Sequence, residues 1–156
     1  MTAGDESLYQ RFTALKSKKP LLRTWIAVGG WSFNDVVNIP NTRAAFSDMV
    51  STLANRKAFI ASIGSFLRTY SFDGVDLNWE YPVAGDRGGI KADKANFVQF
   101  LQELRSAFGS RYGISLTLLA SFSYLQGFDV KSIQQHVDWM NLVSYDLHGN
   151  MPTDSF

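Results

Sequence analysis

The stretch FDGVDLNWEYP, residues 72–82, sets Val75, Leu77 and Trp79 alternately with Asp76, Asn78 and Glu80. Side chains two apart on a strand share a face. One face of this strand is therefore apolar, and the other carries two carboxylates and an amide. A carboxylate row is normally a solvated face. Here helical patterns flank the strand on both sides, and a sheet covered by helices has strands buried on both faces. Polar groups held inside need partners, or a function that offsets their desolvation. That points to chemistry at Asp76, Asn78 and Glu80.

Working outward, residues 5–17 have Leu8, Phe12 and Leu15 at helical spacing, and Pro20 punctuates the entry to a buried strand, LLRTWIAVGG, residues 21–30. A Gly-Gly-Trp turn and a polar loop lead to a helix around residues 42–53. Asn55 is placed to cap the next helix, whose apolar stripe is Phe59, Ile63, Phe66, Leu67 and Tyr70. After the motif strand, VAGDRGGIKA, residues 83–92, reads as a surface loop. Phe97, Leu101, Leu104 and Phe108 then lie at helical spacing, with Gly109 where a helix would stop. A strand (YGISLTLLAS, residues 112–121), a helical piece near 129–136 and a last strand with its loop (VDWMNLVSYDLHG, residues 137–149) complete the pattern. Four strands separated by helices imply an α/β fold with a parallel sheet. A complete (β/α)₈ barrel takes about 250 residues, so any barrel held here is partial.

Composition narrows the function. The 156 residues are 46% hydrophobic and 14% aromatic, which suits one compact domain. A formal charge of +1 supplies no basic field for nucleic acid, and no apolar run reaches the roughly 20 residues of a membrane span, so neither partner is expected. There is no cysteine. The opening MTAGDESLYQ lacks a basic region followed by an apolar run, so no signal peptide is expected in this chain. His136 and His148 stand twelve apart without metal-ligand spacing, and no metal or cofactor is implied. Ser144, Asp146 and His148 lack a nucleophile elbow around the serine.

Several ordered segments together resemble glycoside hydrolase family 18, the chitinase family, in its fungal-type (class V) form. The family motif Asp-x-x-Asp-x-Asp-x-Glu reads here Asp73, Asp76, Asn78, Glu80; AVGGWSF, ASFSYLQGFD and MNLVSYDLHG are similar to its other segments. The resemblance implies a (β/α)₈ TIM-barrel fold of which residues 1–156 form a partial catalytic domain, about strands 3 to 6. Such a partial barrel is expected to expose sheet edges, behave poorly in isolation and self-associate. The implied ligand is chitin or a chito-oligosaccharide, and the implied location of the full-length domain is extracellular.

The resemblance also implies roles. Glu80 is the general acid of a substrate-assisted mechanism in which the acetamido oxygen of the −1 sugar attacks the anomeric carbon. The residue at 78, an Asp in the family, orients that group, balances the developing charge and shares a proton with Asp76; Tyr145 hydrogen-bonds the acetamido oxygen, and Asp146 lines the same site. Gly29, Gly30, Trp31, Ser32, Tyr81, Val143 and Ser144 are the expected substrate contacts, with Val143 in the place of the family's usual Met. Asn78 stands where the family has Asp. Its amide can still accept a hydrogen bond but supplies no charge, so turnover is expected to suffer more than binding. Two further readings stay open: a non-catalytic chitin-binding protein, and a non-functional remnant.

Overall fold

The computed structural model describes residues 3–35, 37 and 40–145. Its centre is a four-stranded parallel sheet in chain order: β1 (Trp25–Gly29), β2 (Gly74–Asn78), β3 (Gly113–Leu119) and β4 (Trp139–Val143). The helices are α1 (Ala3–Thr13), α2 (Ala45–Ser51), α3 (Leu53–Tyr70), α4 (Asp93–Phe108), α5 (Phe122–Leu125) and α6 (Val130–Ile133). All four strands and the main helices fall where the sequence pattern puts them. The cap of α3 differs. Thr52, not Asn55, is the N-cap, and its hydroxyl accepts the Asn55 N–H at 3.1 Å. A hydroxyl three residues before an amide that lacks a helical partner satisfies it directly, which makes Asn55 the donor rather than the cap.

The apolar face of β2 builds the core. Val75, Leu77 and, just past the strand, Trp79 are almost wholly buried with Leu67, Phe97, Phe100, Leu101 and Leu104. Trp79 stacks on Phe46 of α2 and meets Phe97 of α4 edge-on, each with ring centroids 5.4 Å apart. Arg56 ties the covering helices together, donating to both oxygens of Glu103 (3.0 and 2.9 Å) and to the Val50 carbonyl (3.0 Å). The helical stripe expected of α1 is corrected. Leu8, Phe12 and Leu15 are all more than two-fifths exposed; the main docking ring is Tyr9, edge-on to Phe66, Tyr70 and Phe72, while Phe12 keeps a looser contact with Phe72 at 6.2 Å.

The opposite face is lined in register by Trp25, Gly74 and Gly113, then Ala27, Asp76, Ser115 and Trp139, then Gly29 and Asn78, with Thr117 opposite Asn141. Trp25 lies flat across the two glycines at the foot of the sheet. A Cβ on Gly113 would stand 2.1 Å from the Trp25 ring, and the Trp139 ring packs against it at 4.2 Å. Above this aromatic floor the face is open: Ala27, Gly29 and Asn141 are exposed, and Asp76 and Asn78 half-buried. The expectation of burial on both faces therefore holds only for the helix-covered side. Among the described residues the sheet has four strands, with β1 and β4 as its edges, so nothing closes over the polar face.

Two aspartates fix the foot of the sheet in the same way. Asp73 exchanges main-chain contact with Thr24, donating its N–H to the Thr24 carbonyl (2.8 Å), while its carboxylate accepts the Thr24 N–H (2.7 Å) and the Lys16 ammonium (3.0 Å). Asp138 repeats this between β3 and β4: its N–H reaches the Ile114 carbonyl (2.8 Å), and its carboxylate takes the Ile114 N–H and the Arg105 guanidinium, both at 2.7 Å. Desolvation acts upward on both carboxyls, but the Thr24 and Lys16 donors at Asp73, and the Arg105 and Ile114 donors at Asp138, together hold them below the ordinary value of 3.8. A lowered folded pKa gives stability that is present above the unfolded value and lost as pH falls through the folded one. Urea midpoints should accordingly drop as pH is lowered below about 4, and Asp73→Asn should flatten that drop while lowering the midpoint at pH 7. An unchanged acid slope in Asp73→Asn would count against the assignment.

Candidate active site

The polar end of the open face is shaped first by main-chain approach. Gly29 (φ +107°) and Gly30 (φ +100°) adopt a conformation that side-chain-bearing residues rarely take, and a Cβ on Gly29 would lie 2.1 Å from the Asn78 carbonyl oxygen. The Gly30 N–H donates to that same oxygen at 2.8 Å. The pair thereby extends the β1–β2 ladder to the height of Asn78. Glu80 follows β2 at the C-terminal end of the sheet, the end at which barrel enzymes assemble their sites.

Asp76 is the hub. Its Oδ1 accepts from the Ser115 hydroxyl (2.6 Å) and the Asn141 amide (2.9 Å), and its Oδ2 accepts from the Thr117 hydroxyl (2.8 Å). Three donors from β3 and β4 therefore fix one carboxylate of β2. Asn78, one step further toward the mouth, differs sharply: its Oδ1 is buried and meets no hydrogen-bond donor among the described residues. A buried acceptor without a partner carries a desolvation penalty, and a ligand N–H placed there would relieve it.

Glu80 is half-buried, and its Oε2 accepts from the Tyr81 hydroxyl at 3.0 Å. The Glu80–Tyr81 peptide bond is cis. Tyr81 is only 3% exposed, its ring stacked on Tyr124 at 4.2 Å. Burial, and then the Glu80 carboxylate beside it, push the Tyr81 phenol well above its ordinary range, so it remains a proton-bearing donor to Glu80 at neutral pH. The Tyr124 hydroxyl in turn donates to Asp86 at 3.1 Å. A depression of about 530 Å³ adjoins this pair, lined by residues that include Asp86, Lys94 and Tyr124. None of Asp76, Asn78 and Glu80 lines it, so the candidate acid groups belong to the open sheet face instead.

Not every expected contact gathers here. Trp31 is half-exposed, with the Arg87 guanidinium 3.9 Å from its ring centroid. Ser32 is exposed, and Val143 stands on the open face opposite Leu119. Ser144 is exposed and Tyr145 is 66% exposed past the end of β4, with no hydrogen bond from either to Asp76, Asn78 or Glu80 among the described residues. Asp146 and His148 lie outside the described residues. Among the described residues no group of His, Asp or Glu side chains is arranged to hold a metal ion, and no helix is long and apolar enough to cross a membrane.

The sequence reading missed the partners of Asp76. Ser115 and Thr117 alternate with Leu116 and Leu118, a signal of the same kind as the one that singled out β2. It also read residues 83–92 as a surface loop, yet Arg87 and Gly89 are buried and Arg87 reaches two other segments. Charge and glycine content marked the loop correctly, but they do not reveal which of its cations turns inward.

Comparison with known proteins agrees with this architecture. A family model described as Glycosyl hydrolases family 18 matches residues 1–155. The Endochitinase of Manduca sexta is 39% identical over 150 residues, covering 94% of this chain and 26% of the relative. Chitotriosidase-1 of Mus musculus is 40% identical over 157 residues, covering 95% of this chain and 32% of the relative. The crystal structure of Ostrinia furnacalis Group IV chitinase in complex with allosamidin superposes with a TM-score of 0.82 at 33% identity, over 93% of this chain and 37% of that one. The chain thus spans about a quarter to a third of the length of these curated relatives. With a match along nearly its whole length and a parallel α/β sheet that fits part of a TIM barrel, the chain belongs to glycosyl hydrolase family 18.

Proposed function

We propose that the open face of the sheet is the −1 subsite of a chitinase-type glycosidase, acting on β-1,4-linked N-acetylglucosamine once the cleft is complete. One observation carries this reading: the buried Asn78 Oδ1 lacks a donor among the described residues while it stands between a fully hydrogen-bonded Asp76 and the proton-carrying candidate Glu80. An acetamido N–H is a donor of the kind that would satisfy it.

In this mechanism the Glu80 carboxyl gives its proton to the glycosidic oxygen as the bond to the anomeric carbon breaks. The acetamido oxygen attacks that carbon from within the substrate, forming an oxazolinium ion. Water then opens the ion while the Glu80 carboxylate takes up its proton, and the product keeps the β configuration. Asp76 stays in place and balances positive charge on the oxazolinium ring. Tyr81 holds the Glu80 carboxyl, and Tyr145 and Asp146 would close on the acetamido group in the complete site. The complete domain would work outside the cell, where its substrate is found.

A second reading, a chito-oligosaccharide-binding protein without turnover, is favoured by one residue: Asn78 itself, neutral where the family motif carries charge. Proton NMR of fresh digests of chitotetraose separates the two. Shorter oligosaccharides that appear first as the β anomer are the expected result. First appearance of the α anomer would overturn the substrate-assisted mechanism, and calorimetric binding with no product would favour the recognition reading.

A further inference from the structure

Two arginines clasp the loops on either side of the cleft end, and neither forms a salt bridge among the described residues. Arg87, in the loop after β2, is 6% exposed. It donates from Nε to the Glu80 carbonyl at 3.1 Å, from Nη2 to the Trp31 carbonyl, and lays its guanidinium over the Trp31 ring at 3.9 Å. Arg43, from the segment after β1, reaches the opposite way, with Nη2 donating to the carbonyls of Gly85 (2.8 Å) and Asp86 (3.2 Å). Each loop thus holds the other through main-chain acceptors. Gly88 is part of the fit, since a Cβ there would stand 2.4 Å from the Arg43 carbonyl oxygen.

A buried guanidinium with carbonyl partners alone is costly to desolvate, and its planar fork suits a stacked, multiply hydrogen-bonded position that an ammonium cannot fill. Its anchor is fixed: Glu80 sits at the end of the sheet between the buried Trp79 and Tyr81. Its cargo is Trp31, which is half-exposed and has one ring face covered by the cation. We infer that Arg87, supported by Arg43, is a positioning residue that sets the Trp31 indole as a one-sided platform for a pyranose ring, using the Glu80 main chain as its fixed point.

This inference rests on the proposed carbohydrate site, and the test separates the two. The protein is labelled with 5-fluorotryptophan, the Trp31 resonance is assigned with Trp31→Phe, and Arg87→Lys, Arg87→Gln and Arg43→Lys are compared by fluorine NMR and by chitotetraose binding. Arg87→Lys keeps the charge and loses the fork, and a cooperative melt verifies each fold. The expected result is a shifted and broadened Trp31 signal in both Arg87 variants and a smaller shift in Arg43→Lys, whose Nε lacks an acceptor among the described residues even in the parent. Chitotetraose affinity should fall about tenfold in Arg87→Lys, the scale of one desolvated cation–π contact, with kcat changed by less than about threefold where turnover is measurable, since an anchor on the main chain leaves the carboxyl of Glu80 in place. A Trp31 signal unmoved in folded Arg87→Lys and Arg87→Gln overturns the inference, and so does a loss confined to kcat. Moved Trp31 signals in the Arg87 variants, with a parent that does not bind chitotetraose, uphold the clasp and remove the sugar-site reading instead.

Discussion

Glu80→Gln is expected to lower the rate of the proposed chitotetraose hydrolysis by about 10²–10⁴-fold, the usual contribution of a positioned general acid. The substitution keeps the side chain's shape and an oxygen for the Tyr81 hydroxyl, which donates at 3.0 Å, so binding should stay within about threefold of the parent. An amide has no proton to give the leaving oxygen, and that loss is felt only as the glycosidic bond breaks. The measurement is best made in the Asn78→Asp background, where turnover is expected to be higher, with calorimetry on the same samples. Retention of hydrolysis within tenfold by a folded Glu80→Gln variant would remove Glu80 from the role of acid.

Asn78→Asp is the converse experiment, a gain. Restoring a carboxylate where positive charge develops should raise turnover by about 10²–10³-fold, equivalent to roughly 3–4 kcal/mol of transition-state stabilisation. The structure explains why binding should change less than rate. Asn78 already carries an oxygen that no donor among the described residues occupies, so an acceptor is in place and only its charge is missing. The gain should come with a small loss of stability at neutral pH. Asp76 lies two residues away on the same face, and neighbouring carboxylates resist joint ionisation. A folded Asn78→Asp variant no faster than its parent would sink this account of the amide.

Much of the fold was legible because its determinants are periodic. The alternation in residues 75–80 separates the core face of β2 from the cleft face, and the helical spacing of Phe97, Leu101, Leu104 and Phe108 marks the side of α4 that buries. Where the determinant is a partner rather than a period, the sequence was mute. Thr52 and Asn55 are both residues that can cap, and only the path of the chain decides which one accepts. Leu8, Phe12 and Leu15 make a helical stripe, yet Tyr9 supplies the docking ring because Phe66, Tyr70 and Phe72 converge at its position. The candidate site divides the same way. Asp76, Asn78 and Glu80 stand out on one strand, whereas Ser115, Thr117 and Asn141 belong to it only through the register of β3 and β4. Arg87 follows the acid by seven residues in sequence and acts on Trp31 across 56.

The paired aspartates at the foot of the sheet reach further than acid stability. A parallel strand that slips by one residue turns all of its side chains over. For β2 such a slip would turn Leu77 and Trp79 onto the open polar face and drive Asp76 and Asn78 into the packing against Phe46 and Phe97. Asp73 grips Thr24 by both main chain and side chain, immediately before β1 begins, and Asp138 does the same to Ile114. Each carboxylate thus acts as an indexing pin for one strand pair. The orientation of the polar face is decided at the end of the sheet opposite Glu80, by residues that take no part in that face.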